Sequence, residues 1–369
     1  MSCFRSSLEV DTASVRHNLK CLISRSPQNR LMAVVKADAY GVGVEKISRI
    51  ADEEGCAAFG VATVREALQL RELGIKKDIS VLSGVLEEEI SDAIRNGISL
   101  PLTDVEISRK ISCEAVRQQR QVKGNLIIDS GMGRAGIVLA DAGKIIPEIT
   151  SLPAIECSGI YSHFSSAGEP DDEYTLRQIS DFNRFLKEFA LPTSCRDIHF
   201  AAFDGINNYS PVLEPPFTMA RCGIGIYGMM ADDTLNIPLE KSLRLTAKVV
   251  AVRELAPGTA VGYMHTAILQ KPSRIAVVSF GYADGLPLAA SNAGRFLVNG
   301  KFAPVVGRIS MDYTTCDVTG IDVKPGDEAV IFGSSKDNRI EVSEVAALRG
   351  SHDYDVLCSV GSRTERVYI

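Results

Sequence analysis

LMAVVKA (31–37) reads as a short apolar strand, and it delivers the cationic side chain of Lys36 at its end. Runs of the same kind follow at AAFGVA (57–62), ISVLSG (79–84), ISLPLT (98–103), NLIIDS (125–130), IECSGIYSHF (155–164), DIHFAA (197–202) and TMARCGIGIYG (218–228), eight in all. The segments between them carry helical spacing, as in VREALQLRELG (64–74), EEEISDAIRNG (87–97) and TLRQISDFNRFLKEFA (175–190). In the first, Val64, Ala67, Leu68 and Leu70 fall largely on one stripe and a glycine follows at the end. Eight βα units in succession imply parallel strands joined by crossover helices. Closure into an N-terminal (β/α)8 TIM-type barrel is the economical solution, with an open doubly wound sheet as the alternative.

After about residue 235 the texture changes. LRLTAKVVAVRELAPGTAVGY (243–263), SRIAVVSFGYADG (273–285), RFLVNGKFAPVVGRISMDYTTCDV (295–318) and DEAVIFG (327–333) are β-rich, with Pro257-Gly258, Asn299-Gly300 and Pro325-Gly326 as turns. VSEVAALRG (342–350) is the one helix expected there. The expected organisation is therefore a barrel over 9–234 and a C-terminal, mostly antiparallel β-domain over 235–369.

Composition agrees with this class. A chain of 369 residues accommodates a barrel of roughly 250 residues with a smaller companion. With 45% hydrophobic and 23% charged residues, it is a globular chain and not a disordered one. The net charge of -6 argues against nucleic acid or an anionic membrane as the main partner. No run approaches the ~20 apolar residues that span a bilayer, and MSCFRSSLEVD has no apolar core of signal-peptide length. A cytoplasmic location is the default expectation. The 9 cysteines are scattered without a CxxC pair, which fits reduced thiols better than disulfides or zinc, and the 5 histidines show no HExxH spacing.

In such a barrel the reactive groups gather at the C-terminal ends of the strands. Those ends present Lys36, with Tyr40 four residues on, then Asp129, Arg134, His163, His199 and Arg221. The set holds one lysine able to form an imine, several cationic groups and no carboxylate array suited to a metal. A lysine held at the end of a buried strand is activated by desolvation. Taken singly, Lys36 reads as a solvated strand-end residue and Arg221 as half of an ion pair. Their company changes that reading.

AVVKADAYGVG (33–43) resembles the cofactor-lysine motif of the alanine racemase family, fold-type-III pyridoxal-phosphate-dependent amino-acid racemases. IDSGMGRAGI (128–137), YSHFSS (161–166), MARCGIGIYG (219–228), GYADG (281–285), APVVGRISMDY (303–313) and the segment around Tyr354 resemble further landmarks of that family, in the same order along nearly the whole chain. The resemblance implies pyridoxal 5'-phosphate as cofactor and a homodimer whose active site is shared between subunits. It also implies that residues 1–8 add a strand to the second domain.

Carried over to this chain, the resemblance makes Lys36 the covalent cofactor ligand and one of two acid–base groups. Tyr263, in AVGYMHTA (260–267), would be the other, reaching in from the partner subunit. Racemisation takes the α-proton from one face and returns one to the other, which a single rigid base serves poorly. A phenol near pKa 10 needs cationic neighbours to act as that base, and Arg221, His163 and His199 would supply them. Arg221 would also face the pyridine nitrogen and, since arginine holds its proton, leave that nitrogen unprotonated. The ring is then a weaker electron sink, and side reactions such as transamination are suppressed. Tyr40, Tyr354, Gly223 and Ile224 would hold the phosphate. Arg134 would meet the phenolic oxygen and the substrate carboxylate, Met311 of the partner subunit would offer its amide to that carboxylate with Asp312 beside it, and Tyr282 would stand at the pocket mouth.

Two positions depart from the family pattern. Ala202 and Phe203 stand where an Asn-Ser pair contributes a phosphate-binding hydroxyl, so the ring of Phe203 would crowd the phosphate unless Asp204 and Gly205 re-aim the turn. Ile127 stands where many relatives carry a carbamylated lysine, leaving Arg134 to find another partner, Asn125 or a bound anion. The shortened loop after Tyr263 gives His265 no role beyond the surface. The leading expectation is interconversion of L- and D-alanine, supplying D-alanine for cell-wall precursors. A racemase of another small amino acid such as serine, a decarboxylase of the same fold type and a non-catalytic cofactor-binding relative are the alternatives.

Overall fold

The computed structural model describes residues 4–229 and 235–369. Two compact units emerge: Arg16–Glu240, and a second that joins the N-terminal residues through Val15 to Lys241–Ile369. The expected boundary at 234 falls in residues 230–234, and residues 1–3 precede the first described strand; both stretches lie outside the described residues.

The N-terminal strand is β1 (Ser6–Val10). The Arg16–Glu240 unit is built on β2 (Leu31–Val34), β3 (Ala58–Val61), β4 (Asp78–Val81), β5 (Leu100–Leu102), β6 (Val122–Asp129), the two-residue β7 (Ile137–Val138), β8 (Ile155–Tyr161), β9 (Asp197–His199) and β10 (Ala220–Cys222). Without β7, which only pairs beside β6, eight parallel strands follow one another around a closed ring. β10, β2, β3 and β4 form one ladder, and β5, β6, β8 and β9 another. The first seam closes through a parallel Ser80–Ser99 bridge. The second closes through Thr218 N–H to Ile198 O (2.9 Å) and Arg221 N–H to Ala201 O (3.0 Å). The (β/α)8 barrel is therefore complete, and each of the eight expected runs overlaps one strand. Strands β2, β3 and β5 are buried at every residue, as parallel strands covered by helices must be.

The helices begin where local chemistry satisfies their first amides. Thr63 and Glu66 make a reciprocal capping box on helix Val64–Glu72. Asp172 accepts the Thr175 N–H at 2.8 Å to start Glu173–Glu188. That helix buries Phe182 edge-on against Phe200, with ring centroids 5.2 Å apart, and Phe164 stacks on Phe200 at 4.0 Å. These contacts fix the backbone that follows β9.

In the other unit, β11 (Leu243–Leu255) is the spine, followed by the short ribbon β12 (Ala260–Val261) and β13 (Ala267–Ile268). Then come β14 (Ser273–Val278), β15 (Arg295–Val298), β16 (Lys301–Pro304), β17 (Thr314–Asp317), β18 (Glu328–Ser335), β19 (Asn338–Ile340) and β20 (Glu365–Tyr368). Every ladder is antiparallel except that between β1 and β20, and β1 sits between β20 and β11. Among the described residues from Lys241 on, two α-helices are present, Val342–Arg349 and Asp353–Ser359. The second corrects the expectation of a single helix, since DYDVLCS is too short and polar to show a helical stripe. Among the described residues, no helix is long and apolar enough to cross a membrane, and no disulfide joins two cysteines.

Candidate active site

Beyond β2 the chain turns the wrong way. Ala37, Asp38, Ala39 and Tyr40 hold φ values of 52, 53, 54 and 61°, so the residues after Lys36 form a left-handed turn. Each such residue costs roughly 1–2 kcal/mol, and the conformation persists only where its surroundings over-determine it. Here they do. Glu66 Oε1 accepts the Ala37 N–H at 2.7 Å, Asp38 Oδ1 accepts the Val44 N–H at 2.7 Å, and the buried Tyr227 hydroxyl donates to Ala39 O at 2.7 Å. Lys36 itself is exposed, although the strand that delivers it is buried at every residue.

Lys36 lines a cavity of about 360 Å³ together with Ala62, Leu82, Ser83, Ile127, Asp129, Met132, Arg134, Tyr161 and His163. The loop carrying Arg134 is shaped by one carboxylate oxygen. Asp129 Oδ1 accepts N–H groups from Gly131 (2.9 Å), Met132 (2.8 Å) and Gly133 (3.1 Å). Burial pushes the Asp129 carboxyl up, and these amides with that of Arg134 more than reverse it, leaving it below the usual range. The Arg134 side chain has no hydrogen-bond or ion-pair partner among the described residues. Asn125 is not its buttress, because the Asn125 amide donates to Ser80 Oγ at 3.2 Å and its oxygen faces Ser158 Oγ at 3.4 Å. The cavity thus brings the Arg134 guanidinium, the Asp129 carboxylate and Lys36 to one lining.

His163, on the cavity wall, leads to a buried cluster. Arg221 is 4% exposed and has no carboxylate partner among the described residues. Its guanidinium donates to Ser162 O (2.9 Å), Phe200 O (3.3 Å), His163 Nδ1 (3.3 Å) and, by a short bond, His199 Nδ1. Both imidazoles are therefore acceptors, and neutral. Burial lowers Arg221 to about 10. Burial, then the charges of Arg221, Arg134 and Lys36, drive His163 down to about 3, and burial with Arg221 and Arg30 drives His199 well below its ordinary value. Tyr161 stacks on His199 with centroids 4.8 Å apart and lies under Arg221, 5.0 Å from guanidinium carbon to ring centre. Its hydroxyl is buried without a partner among the described residues, and burial pushes its pKa up.

This cluster makes stability depend on pH with a definite sign. Below about pH 6.5 the unfolded chain binds protons on His163 and His199 that the folded barrel refuses. Their stabilisation is complete above that pH and is lost progressively as pH falls toward the folded values. Cofactor-free protein should lose about 1.6 kcal/mol of unfolding free energy through His163 between pH 6.5 and 5, and His199 adds a loss of the same sign. Urea midpoints at the two pH values, with His163→Asn flattening its share, check this; equal slopes in parent and variant would contradict it.

At the end of β10, Gly223 and Tyr40 meet. A Cβ on Gly223 would lie 2.1 Å from the Tyr40 hydroxyl, so only glycine admits that ring. Ile224 follows, buried, at the start of the turn Ile224–Tyr227. Phe203 opens helix Phe203–Asn208 and is buried, its ring filling the space that a Cβ on Gly225 would need, 2.3 Å away. The ring of Phe203 is thus buried in the barrel and packed over Gly225. Restoring a hydroxyl with Phe203→Ser should cost about 3–5 kcal/mol of stability through the cavity it leaves. Thermal unfolding measures this, and an undiminished melting temperature would show that the ring is not part of the core.

The remaining expected residues belong to the β-unit. Tyr263 stands at the tip of the β12–β13 ribbon, 68% exposed, and lines a groove with Arg308, Ser310, Tyr313 and Thr315. Tyr282 and Met311 are brought together there, through Tyr282 N–H to Ser310 O and Ala283 N–H to Met311 O, both 3.1 Å. Arg363 clamps the two loops by donating to Asp284 (2.9 Å) and Asp312 (2.7 Å). Tyr354 lies on helix Asp353–Ser359, and His265 is exposed. Tyr161, Glu66 and Arg363 were not singled out from sequence. Tyr161 sits in an apolar run and Glu66 in a capping box, and both patterns have ordinary structural explanations.

A closed parallel barrel that gathers one lysine, an unpaired arginine and an arginine–imidazole cluster at its C-terminal face, followed by a β-unit, defines an enzyme of the lysine-centred barrel class. Residues 10–231 match the family described as alanine racemase, N-terminal domain, and residues 242–368 that described as alanine racemase, C-terminal domain. The chain belongs to the alanine racemase family. It is 35% identical over 361 residues to the alanine racemase of Syntrophobacter fumaroxidans, covering 96% of this chain and 95% of that one. Among solved structures, alanine racemase from Bartonella henselae with covalently bound pyridoxal phosphate is 29% identical with a TM-score of 0.88, over 99% of each chain. Alanine racemase from Bacillus anthracis with bound L-Ala-P is 29% identical with a TM-score of 0.90, over 100% of this chain and 96% of that one.

Proposed function

We propose that this chain racemises alanine with pyridoxal 5'-phosphate carried on Lys36, in a homodimer whose two sites are each completed by the partner's β-unit. The observation that carries the reading is the buried, carboxylate-free Arg221 held by two neutral imidazoles behind the cavity that Lys36 lines. The residues fit the cofactor. The contact between Gly223 and Tyr40 is a cradle that a Cβ would fill, the Tyr161 hydroxyl is an orphan at the cavity wall, and Arg134 offers an unspent guanidinium.

Bound pyridoxal phosphate supplies the electron-withdrawing ring that makes the substrate α-proton removable. Tyr40, Tyr354, Gly223 and Ile224 hold its phosphate. Arg221 keeps its own proton even at about pKa 10, so it gives none to the ring nitrogen. Arg134 orients the substrate carboxylate with the amide of Met311 of the partner subunit, and Tyr282 screens the entrance. Lys36 Nζ takes or returns the proton on one face of the α-carbon, and the partner's Tyr263 hydroxyl does so on the other. D-alanine for cell-wall precursors is the product this reading assigns.

Purified protein with added pyridoxal phosphate should drive L-alanine to the racemate, followed by circular dichroism, and L-serine more slowly. Faster turnover of L-serine would move the assignment to another small amino acid. Binding of cofactor without turnover of either would leave a non-catalytic relative.

A further inference from the structure

We propose that Glu66 is a positioning residue for Lys36, holding the strained turn that aims its amine into the cavity. The inference rests on Lys36 being the amine that captures the cofactor. Its own support is the use of both oxygens of one carboxylate. Oε2 accepts the N–H groups of Ala62 (2.8 Å) and Thr63 (3.2 Å), and Oε1 accepts that of Ala37 at 2.7 Å. A capping box requires only the Thr63 N–H. The bond to Ala37 lies outside the cap and reaches another strand end, at the amide immediately after Lys36.

The geometry around that amide explains what the bond does. Four successive non-glycine residues at positive φ begin at Ala37, a conformation the chain abandons when its restraints are removed. Tyr227 restrains Ala39 and Asp38 restrains the turn's exit. Glu66 is the restraint at its entrance, one peptide from the Lys36 Cα. It ties the turn to Ala62, which lines the same cavity as Lys36. A charged acceptor makes shorter, stronger bonds than a neutral one, and three donors converge on this one. Displacement of a reacting group by about 1 Å costs on the order of 10²-fold in rate, so loosening this end of the turn acts on Lys36 and not on general stability alone.

The test is the second-order rate at which cofactor-free protein captures pyridoxal phosphate, read from the change in visible absorbance, beside kcat and KM for L-alanine. Glu66→Ala should slow capture and lower kcat by about tenfold or more, with KM for alanine little changed. Glu66→Gln keeps one acceptor oxygen and should fall between parent and alanine variant; it carries the test alone should Glu66→Ala not fold. Thr63→Ala removes the cap hydroxyl, which accepts the Glu66 N–H at 3.2 Å, without touching Ala37. It should lower the melting temperature yet leave capture at the parent rate. Capture by either Glu66 variant at the parent rate, or slowing by Thr63→Ala as large as that of Glu66→Ala, overturns the proposal. Capture undiminished in Lys36→Ala would instead remove the reading of Lys36 on which it stands, so the two failures are distinct.

Discussion

Lys36→Ala is expected to abolish racemisation, lowering kcat/KM for L-alanine by at least about 10⁴-fold. One side chain serves as covalent anchor and as proton carrier, and loss of the proton-carrying role alone is worth about 10²–10⁴. The loss should come without unfolding. Lys36 is exposed, and truncation of an exposed side chain outside a cap or core changes stability by about 0.5 kcal/mol or less. Unchanged far-ultraviolet circular dichroism and melting temperature beside a dead enzyme check this. A variant that keeps a tenth of parent activity would place the covalent chemistry elsewhere.

Tyr263→Phe deletes a single hydroxyl from a ring that is 68% exposed. It should lower kcat by about 10²–10⁴ in both directions and leave the melting temperature within a degree or two. The proposed sharing of sites between subunits adds a sharper consequence. Mixing Lys36→Ala with Tyr263→Phe subunits gathers both lesions in one site of each mixed dimer and leaves the other site intact. For a symmetric dimer re-formed at equal ratio, activity should return to about a quarter of the parent value. No recovery after subunit exchange, with exchange itself verified by mass, would mean that Lys36 and Tyr263 serve the same subunit.

Much of the fold was legible because parallel strands and their helices leave opposite signatures. AAFGVA and ISVLSG could only be buried strands once VREALQLRELG and EEEISDAIRNG were read as helices, and all eight runs overlap a strand of the closed barrel. The second helix of the β-unit, Asp353–Ser359, left no stripe to read. Strand-end position and family resemblance singled out Arg221, His163 and His199 together, but neither could show that Arg221 faces two imidazoles and no acid. That depends on the pairing of β8, β9 and β10 across the barrel seam. Lys36 shows the opposite lesson. Its strand is as buried as the apolar run required, yet a left-handed turn begins at the next residue, and no propensity predicts four such φ values at Ala-Asp-Ala-Tyr. The placement of Phe203 over Gly225 was equally hidden, since it joins two segments whose proximity only the closed barrel creates.

The most direct test of the account is racemisation of L-alanine by the holoenzyme in deuterium oxide, with optical activity and product mass followed together. Two acid–base groups on opposite faces predict loss of the circular dichroism signal and D-alanine carrying one deuterium from solvent at its α-carbon. D-alanine that retains the original hydrogen would require one group serving both faces, and L-alanine recovered unchanged and unlabelled would contradict the racemase reading altogether.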